Sequence, residues 1–300
     1  MRVVITGSSG FVGLNLQKYL ADEYQIQNLS IRYVADQSIT FDSDVVIHLA
    51  GKAHDLKKNT DSQKYYEANY KLTMQVFDAF LTSNASIFIF LSTVKAVADS
   101  VDGVLTEESL PNPKTHYGIS KYYAEDYILS KKLPKNKKVY ILRPCMIHGE
   151  GNKGNLNLLY KLVSKGLPWP LGSFQNKRSF LSIENLCFVI KELLYNENVA
   201  SGIYHLCDDK TLSTNELVNL IATTLGKRSK IWNVNTSFIK YTARIGDFLN
   251  LPLNTERLSK LTESYIVSNE KIVTALGKSL PISSQTGLIK TFESFRTKIK

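Results

Sequence analysis

Met1-Arg2-Val3-Val4-Ile5-Thr6-Gly7-Ser8-Ser9-Gly10-Phe11-Val12-Gly13 opens the chain, and its reading decides the fold. Residues 1–6 are a β-branched apolar run that reads as a buried strand. Beyond the glycines, Leu14, Leu16, Tyr19 and Leu20 supply the apolar positions of a helix. Strand, glycine turn and helix are the opening of a βαβ unit. Gly7, Gly10 and Gly13 form Gly-x-x-Gly-x-x-Gly rather than the commoner Gly-x-Gly-x-x-Gly. A turn of this kind lets backbone N–H groups approach a pyrophosphate at the positive end of the helix. The stretch therefore predicts a dinucleotide site. The competing reading is that the glycines only allow tight strand–helix packing.

Working outward, residues 25–31 read as a second strand, and Asp44 to Ala50 as a continuous apolar strand ending in Gly51. Residues 66–82 carry helical periodicity through Tyr66, Tyr70, Met74, Phe77 and Leu81. Ile87 to Leu91 and Val139 to Leu142 are two further apolar strands. Strands without polar alternation, separated by helices, predict a parallel sheet covered on both faces. The expected fold class is α/β, a doubly wound parallel sheet of Rossmann type with a smaller, mostly helical C-terminal lobe. Residues 1–150, joined by about 178–206, are expected to form the dinucleotide-binding domain, and 151–300 the substrate-binding lobe.

Composition excludes several alternatives. The 300 residues are 43% apolar and 21% charged, as in ordinary globular proteins. No apolar stretch approaches the roughly 18 residues of a membrane span. The N-terminus lacks the pattern of a signal peptide. Cys145, Cys187 and Cys207 have no CxxC spacing, so neither a disulfide framework nor a zinc site is indicated, and a cytoplasmic location is expected. The net charge of +10 is spread over short groups, Lys57-Lys58, Lys131-Lys132, Lys135, Lys137-Lys138 and Lys298 with Lys300. None alternates with aromatics as a single-strand nucleic-acid surface would. They read as solvated lysines around a pocket for a phosphorylated ligand.

The end of the second strand bears on cofactor choice. A carboxylate there accepts hydrogen bonds from the ribose of NAD. Register places Ser30 at this position with Arg32 two residues on, a hydroxyl and a guanidinium that suit a 2′-phosphate and NADP. Asp36 becomes the acidic residue if the strand runs longer.

Tyr117-Gly118-Ile119-Ser120-Lys121 places a phenol and an ammonium on one face of a helix. A lysine beside a tyrosine is expected to lower the phenol pKa toward neutrality, giving a general acid/base for a carbinol–carbonyl interconversion. Ser92-Thr93 ends the strand at 87–91, at the carboxyl edge where parallel sheets bind ligands, and offers a hydroxyl to the same oxygen.

With these motifs the sequence resembles the extended short-chain dehydrogenase/reductases of the nucleotide-sugar epimerase/dehydratase family over nearly its whole length. The carrying residues are the glycine turn, His48-Leu49-Ala50-Gly51, Asn69, Ser92-Thr93, Tyr117 to Lys121, Arg143-Pro144, Gly154-Asn155-Leu156 and Arg178-Ser179-Phe180. The resemblance implies a cofactor, NAD or NADP, held by Gly7, Ser9, Gly10, Phe11, Val12, Ser30, Arg32, Leu49, Ala50, Gly51, Asn69 and Pro144, with help from Tyr117 and Lys121. It makes Thr93, Tyr117 and Lys121 catalytic: Thr93 polarises the substrate oxygen, Tyr117 transfers its proton and Lys121 binds the nicotinamide ribose. Ser92, Thr93, Lys95, Asn155 and Arg178 would meet the substrate, Asn155 at its nucleotide and Arg178 at its pyrophosphate.

Within that family, Ser92-Thr93-Val94-Lys95 and Gly172 to Phe180 look most like bacterial enzymes acting at C4 of UDP-N-acetylhexosamines for surface polysaccharide synthesis. Some are 4-epimerases and others are 4-keto reductases of 6-deoxy sugars. The implied function is a UDP-sugar 4-epimerase. An NADP-dependent reductase is the alternative, and a non-catalytic dinucleotide sensor a distant third. Val94-Lys95 stands where sugar 4,6-dehydratases carry Asp-Glu, which argues against dehydration. His148 stands where Tyr usually precedes Gly149, and Ser30 where an NAD-holding epimerase has an acid.

His116 reads as a loop residue lining the cleft and His48 as a core histidine. His48 and His54 lack the further ligands a metal would need, so no metal is assigned. A homodimer is expected, because related proteins pair the helices that here carry Tyr66, Tyr70, Phe77, Tyr122, Tyr123 and Tyr127.

Overall fold

The computed structural model describes residues 1–52, 61–152, 154–249 and 254–297. The strands are β1 (Arg2–Thr6), β2 (Gln25–Leu29), β3 (Val45–His48), β4 (Ile87–Leu91), β5 (Val104–Leu105), β6 (Lys138–Pro144), β7 (Met146–His148), β8 (Phe180–Ser182), β9 (Gly202–Leu206) and β10 (Ile266–Val267). The helices begin with α1 (Phe11–Leu20), α2 (Ser62–Tyr65), α3 (Leu72–Thr82), α4 (His116–Ser130), α5 (Asn155–Ser164) and α6 (Ile183–Tyr195). They continue with α7 (Thr214–Thr224), α8 (Thr236–Phe248), α9 (Thr255–Thr262), α10 (Glu270–Leu276) and α11 (Ser284–Thr297). A π-helical segment, Tyr66–Lys71, joins α2 to α3.

Six strands form one parallel sheet in the order β2-β1-β3-β4-β6-β9. Alternation along β1 sends Val3 and Ile5 to one face and Val4 to the other. Val3 and Ile5 join Leu16, Leu20, Leu186 and Ile190 beneath α1 and α6. Val4 joins Val46, Phe88, Val76 and Phe80 beneath α3. Helices on both faces explain why the strands read as unbroken apolar runs. The strand order reverses between β1 and β3, and the crevice at the carboxyl ends of these strands is where such sheets bind ligands.

The second lobe has its own core, in which Tyr160, Trp169, Ile221, Leu288 and Phe292 are buried. Its helix α8 is unusual. Ile239, Ala243 and Gly246 face inward, yet Phe238, Tyr241, Ile245 and Phe248 are exposed.

Two expectations are corrected here. Phe77, expected at a dimer contact, is buried in the sheet core against Phe80 and Phe88. Lys137 is not a solvated lysine: its ammonium is buried and donates to the carbonyls of Phe80, Ser83 and Ala85 at 3.1, 2.8 and 2.6 Å, capping the end of α3. Lys57-Lys58, Lys298, Lys300 and His54 lie outside the described residues.

Candidate active site

A cavity of about 340 Å³ opens at the carboxyl edge of the sheet, between the glycine turn and α4. Gly7, Gly10, Phe11 and Val12 form one wall, and Leu49, Gly51 and Pro144 another. Gly7 has φ +68°, and a Cβ there would stand 2.6 Å from the backbone nitrogen of Ala50, so Ala50 acts by closing the turn from behind. Gly10 is the N-cap of α1; no side chain among the described residues caps the helix, and its first turn has no acidic residue. Its leading N–H groups, at the positive helix end, suit a diphosphate. At Gly51 a Cβ would lie 2.7 Å from Asn69 Oδ1 and 3.3 Å from Lys121 Nζ, so this wall needs a bare backbone. These features fit a dinucleotide.

Thr93, Tyr117 and Lys121 line the same cavity. Thr93 follows β4 and caps the short 3₁₀ turn Val94–Ala96 by accepting from the Lys95 N–H. Thr115 caps α4 through the Gly118 N–H, which sets the turn that carries Tyr117. The Tyr117 phenol is hydrogen-bonded to Thr93. Lys121 Nζ donates to the Leu91 carbonyl at 2.8 Å and lies 4.6 Å from the centre of the Phe90 ring. Burial pushes this lysine down to about 8, opposed by Glu125.

The expected lowering of the Tyr117 pKa by Lys121 is not what the structure shows. Burial pushes the phenol above its ordinary value of 10, the Thr93 hydrogen bond opposes the rise, and Tyr65 adds to it. Desolvation of the buried phenol outweighs the Thr93 hydrogen bond. In the protein alone Tyr117 is a proton donor at neutral pH.

Beneath the dyad lies an ion pair that the sequence reading missed. Glu125, one turn beyond Lys121 on α4, is buried and accepts from Arg143 Nε at 3.0 and 3.1 Å and from Nη2 at 2.5 Å. Ser92, expected at the substrate, lines the cavity but donates its hydroxyl to Glu125 Oε1. The i, i+4 spacing of Lys121 and Glu125, with Arg143 at the end of a neighbouring strand, was the available signal.

Asn69 also acts at one remove. It lies in the π-helical segment, accepts from Lys52 N at 2.7 Å, and donates to the Lys52 carbonyl at 3.1 Å and to Ser120 Oγ at 3.0 Å. The carboxamide ties the loop after β3 to α4. π-Turns gather at functional sites because they displace one residue out of helical register.

Lys95 and Arg178 form a second, cationic corner. Lys95 donates to the Asp99 carbonyl at 2.7 Å and lies 4.2 Å from the centre of the Tyr265 ring; burial lowers its pKa, Asp99 and Glu263 oppose the fall, and Arg178 and Lys260 add to it. Arg178 pairs backbone hydrogen bonds with Leu212, 2.9 Å each way. Its guanidinium donates to the Glu263 carbonyl at 2.9 Å and to that of Lys260, at the negative end of α9. Asn155 is exposed at the start of α5.

Ser9, Ser30 and Arg32 are exposed outside the cavity wall. Ser30 follows directly on β2, whose Leu29 pairs with Thr6 just before Gly7, so it stands beside the glycine turn. Asp36 has φ +56°, a turn residue some distance beyond the strand. His116 is the exposed first residue of α4 and meets Tyr66 edge-on. His48 is a core histidine, hydrogen-bonded to Thr6 at 2.7 Å and Thr73 at 3.0 Å, its pKa pushed down to about 3 by burial. Cys145 lines the cavity unforeseen, but burial holds its thiol well above the ordinary range, which removes it as a nucleophile.

A glycine-turn dinucleotide cleft joined to a Thr-Tyr-Lys corner defines a short-chain dehydrogenase/reductase type of enzyme. Residues 3–207 match the NAD dependent epimerase/dehydratase family, and the chain belongs to that family. It is 29% identical to a UDP-glucose 4-epimerase of Vibrio cholerae, over 98% of this chain and 95% of that protein. It is 30% identical to an N-acetyl-α-D-glucosaminyl-diphospho-ditrans,octacis-undecaprenol 4-epimerase of Escherichia coli O157:H7, over 75% of this chain and 73% of the relative. The structure superposes with a TM-score of 0.75 on a UDP-glucuronic acid 4-epimerase from Bacillus cereus solved with NAD, at 19% identity and 100% coverage of both chains.

Proposed function

We propose that the protein is an NAD(P)-dependent 4-epimerase of a diphosphate-linked hexose or N-acetylhexosamine, with a UDP-sugar as its first substrate class. The observation that carries this reading is that Thr93, Tyr117 and Lys121 share one cavity with the glycine turn. When bound, the nicotinamide supplies the group that accepts and returns hydrogen at C4. The Tyr117 phenol moves the proton at O4 in either direction, and Thr93 holds that oxygen by hydrogen bonding. Lys121, charged below about pH 8, orients the ribose side of the cleft. Arg178 and Lys95 hold the substrate diphosphate, the planar guanidinium spanning two phosphate oxygens. Ser30 and Arg32 flank the adenosine ribose and favour NADP.

The chain works as a homodimer through α3, the π-segment and α4. Tyr66, Tyr70 and Tyr123 cluster there at ring separations of 5.8 and 6.2 Å, with Tyr123 exposed.

A sugar diphosphate carried on a polyprenol is the second reading. It is favoured by the uncovered apolar face of α8, a helix tied to α9, whose far end receives Arg178.

The decisive assay supplies purified protein separately with UDP-GlcNAc and UDP-GalNAc and follows both epimers and reduced cofactor. Interconversion without net cofactor consumption is the expected result. Stoichiometric oxidation of NADPH on a 4-keto-6-deoxy sugar nucleotide, with no epimer formed, would replace the epimerase with a reductase.

A further inference from the structure

Helix α8 carries two apolar stripes on one short helix. The inner stripe, Ile239, Ala243 and Gly246, packs into the second lobe. The outer stripe, Phe238, Tyr241, Ile245 and Phe248, follows i, i+3, i+7 and i+10, which at about 100° per residue confines it to roughly a quarter of the circumference. These side chains are 60%, 63%, 39% and 86% exposed. Leu249, directly beyond the helix, is 57% exposed. A helix apolar on both sides is ordinarily buried, and an ordered exposed patch of this kind marks a docking surface.

Charge identifies what it docks to. Residues 227–262 hold seven Lys and Arg against two Asp and Glu, half of the net +10 of the whole chain. Lys240 and Arg244 are exposed beside the outer stripe, and neither has an ion-pair partner among the described residues. Aromatic and aliphatic side chains flanked by cations are the pattern of a helix lying in the plane of a lipid interface, where anionic headgroups attract the basic rim.

We propose that the outer face of α8 docks the protein on an anionic phospholipid bilayer. Its place in the fold gives the docking a purpose. Asp247 at the end of α8 accepts from the Thr255 N–H at 3.1 Å, which ties it to α9. The far end of α9 receives the Arg178 guanidinium. On the proposed reading of Arg178 as the diphosphate ligand, the eight-residue helix α9 links a bilayer under α8 to the diphosphate end of the cleft. The enzyme thereby meets sugar diphosphates anchored in that surface.

Flotation of the full chain with vesicles of phosphatidylglycerol and phosphatidylethanolamine tests the docking, with phosphatidylcholine vesicles alongside. Wild type is expected to float with the anionic vesicles and not with the neutral ones, and 0.5 M salt is expected to weaken binding by on the order of tenfold. Phe238→Asp with Phe248→Asp should cut bound protein at least about tenfold, because two exposed apolar anchors are lost. The same variant should turn over a soluble UDP-sugar like wild type, which shows that it is folded. Failure of wild type to float, or equal flotation of wild type and variant, overturns the docking. A fall in solution mass by light scattering with vesicle binding unchanged also overturns it and assigns the face to a second copy. Absence of turnover on every sugar diphosphate with flotation intact would instead strike the proposed reaction.

Discussion

The corners proposed for catalysis and for phosphate binding hold their charges in opposite ways. At the catalytic corner a full carboxylate, Glu125, is locked to Arg143 inside the protein, and Lys121 above it is desolvated to a pKa of about 8. At the phosphate corner Arg178 is held by the backbone carbonyls of Lys260 and Glu263. Carbonyl dipoles satisfy a guanidinium without neutralising it, while the nearby Glu263 carboxylate favours its charged form. On the proposed reading, rigid geometry serves proton transfer in the first corner, and a guanidinium held by neutral carbonyls serves phosphate binding in the second.

The sharpest way to break this contrast is at the phenol. Tyr117→Phe should lower kcat by about 10²–10⁴-fold, the range of a general acid/base, while cofactor binding by fluorescence titration stays near wild type. Substantial residual turnover would remove Tyr117 from proton transfer.

Glu125→Ala attacks the support instead of the chemistry. It leaves Arg143 charged and buried, which costs about 3–5 kcal/mol of unfolding free energy in denaturant titrations. Arg178→Ala, which exposes only carbonyls at a helix end, should cost less than half of that. Equal losses at the two corners would end the distinction.

Lys121 sharpens it through pH. Its ammonium is lost as pH rises through about 8, so kcat/KM should fall on the alkaline side with a limb near that value. Stability runs the other way. Below pH 8 the folded protein carries the cost of a buried charge that the unfolded chain does not. That cost fades as pH rises from about 8 toward the ordinary lysine value of 10.5. Lys121→Met should therefore be more stable than wild type at pH 7, by up to roughly 3 kcal/mol, with the advantage shrinking toward pH 10.

The smallest expected effect lies at the phosphates. Arg178→Lys should raise KM for the sugar diphosphate several-fold, toward about tenfold, and change kcat less, because the phosphates are remote from C4 and the contact is made in ground and transition states alike. An unchanged KM would take Arg178 out of the site.

What the sequence disclosed follows from how local each signal is. The β1–glycine–α1 stretch was legible because β-branched residues, glycines and helical periodicity adjoin, and Tyr117 and Lys121 because four residues is one helical turn. Asn69 could be named but not placed, since nothing in its neighbours marks a π-turn. Glu125 and Arg143 are 18 residues apart on different elements, and only the packing of α4 on β6 makes them a pair. The rise in the Tyr117 pKa was missed because burial is a property of the assembled cavity and spacing reports only neighbours. Arg178 was legible as a cation, but its partners come from a helix end about 85 residues away.

The π-turn at Tyr66–Lys71 has a further consequence. It is one residue too long for an α-helix, and that surplus residue lets a single carboxamide reach both the loop after β3 and helix α4. Deleting one residue there would yield a more regular helix, with tighter hydrogen bonding from Ser62 to Thr82, and would swing Asn69 away from Lys52 and Ser120. The chain thus keeps a local imperfection as a length reserve, and a change that improves the helix would unfasten the loop against which a dinucleotide must rest.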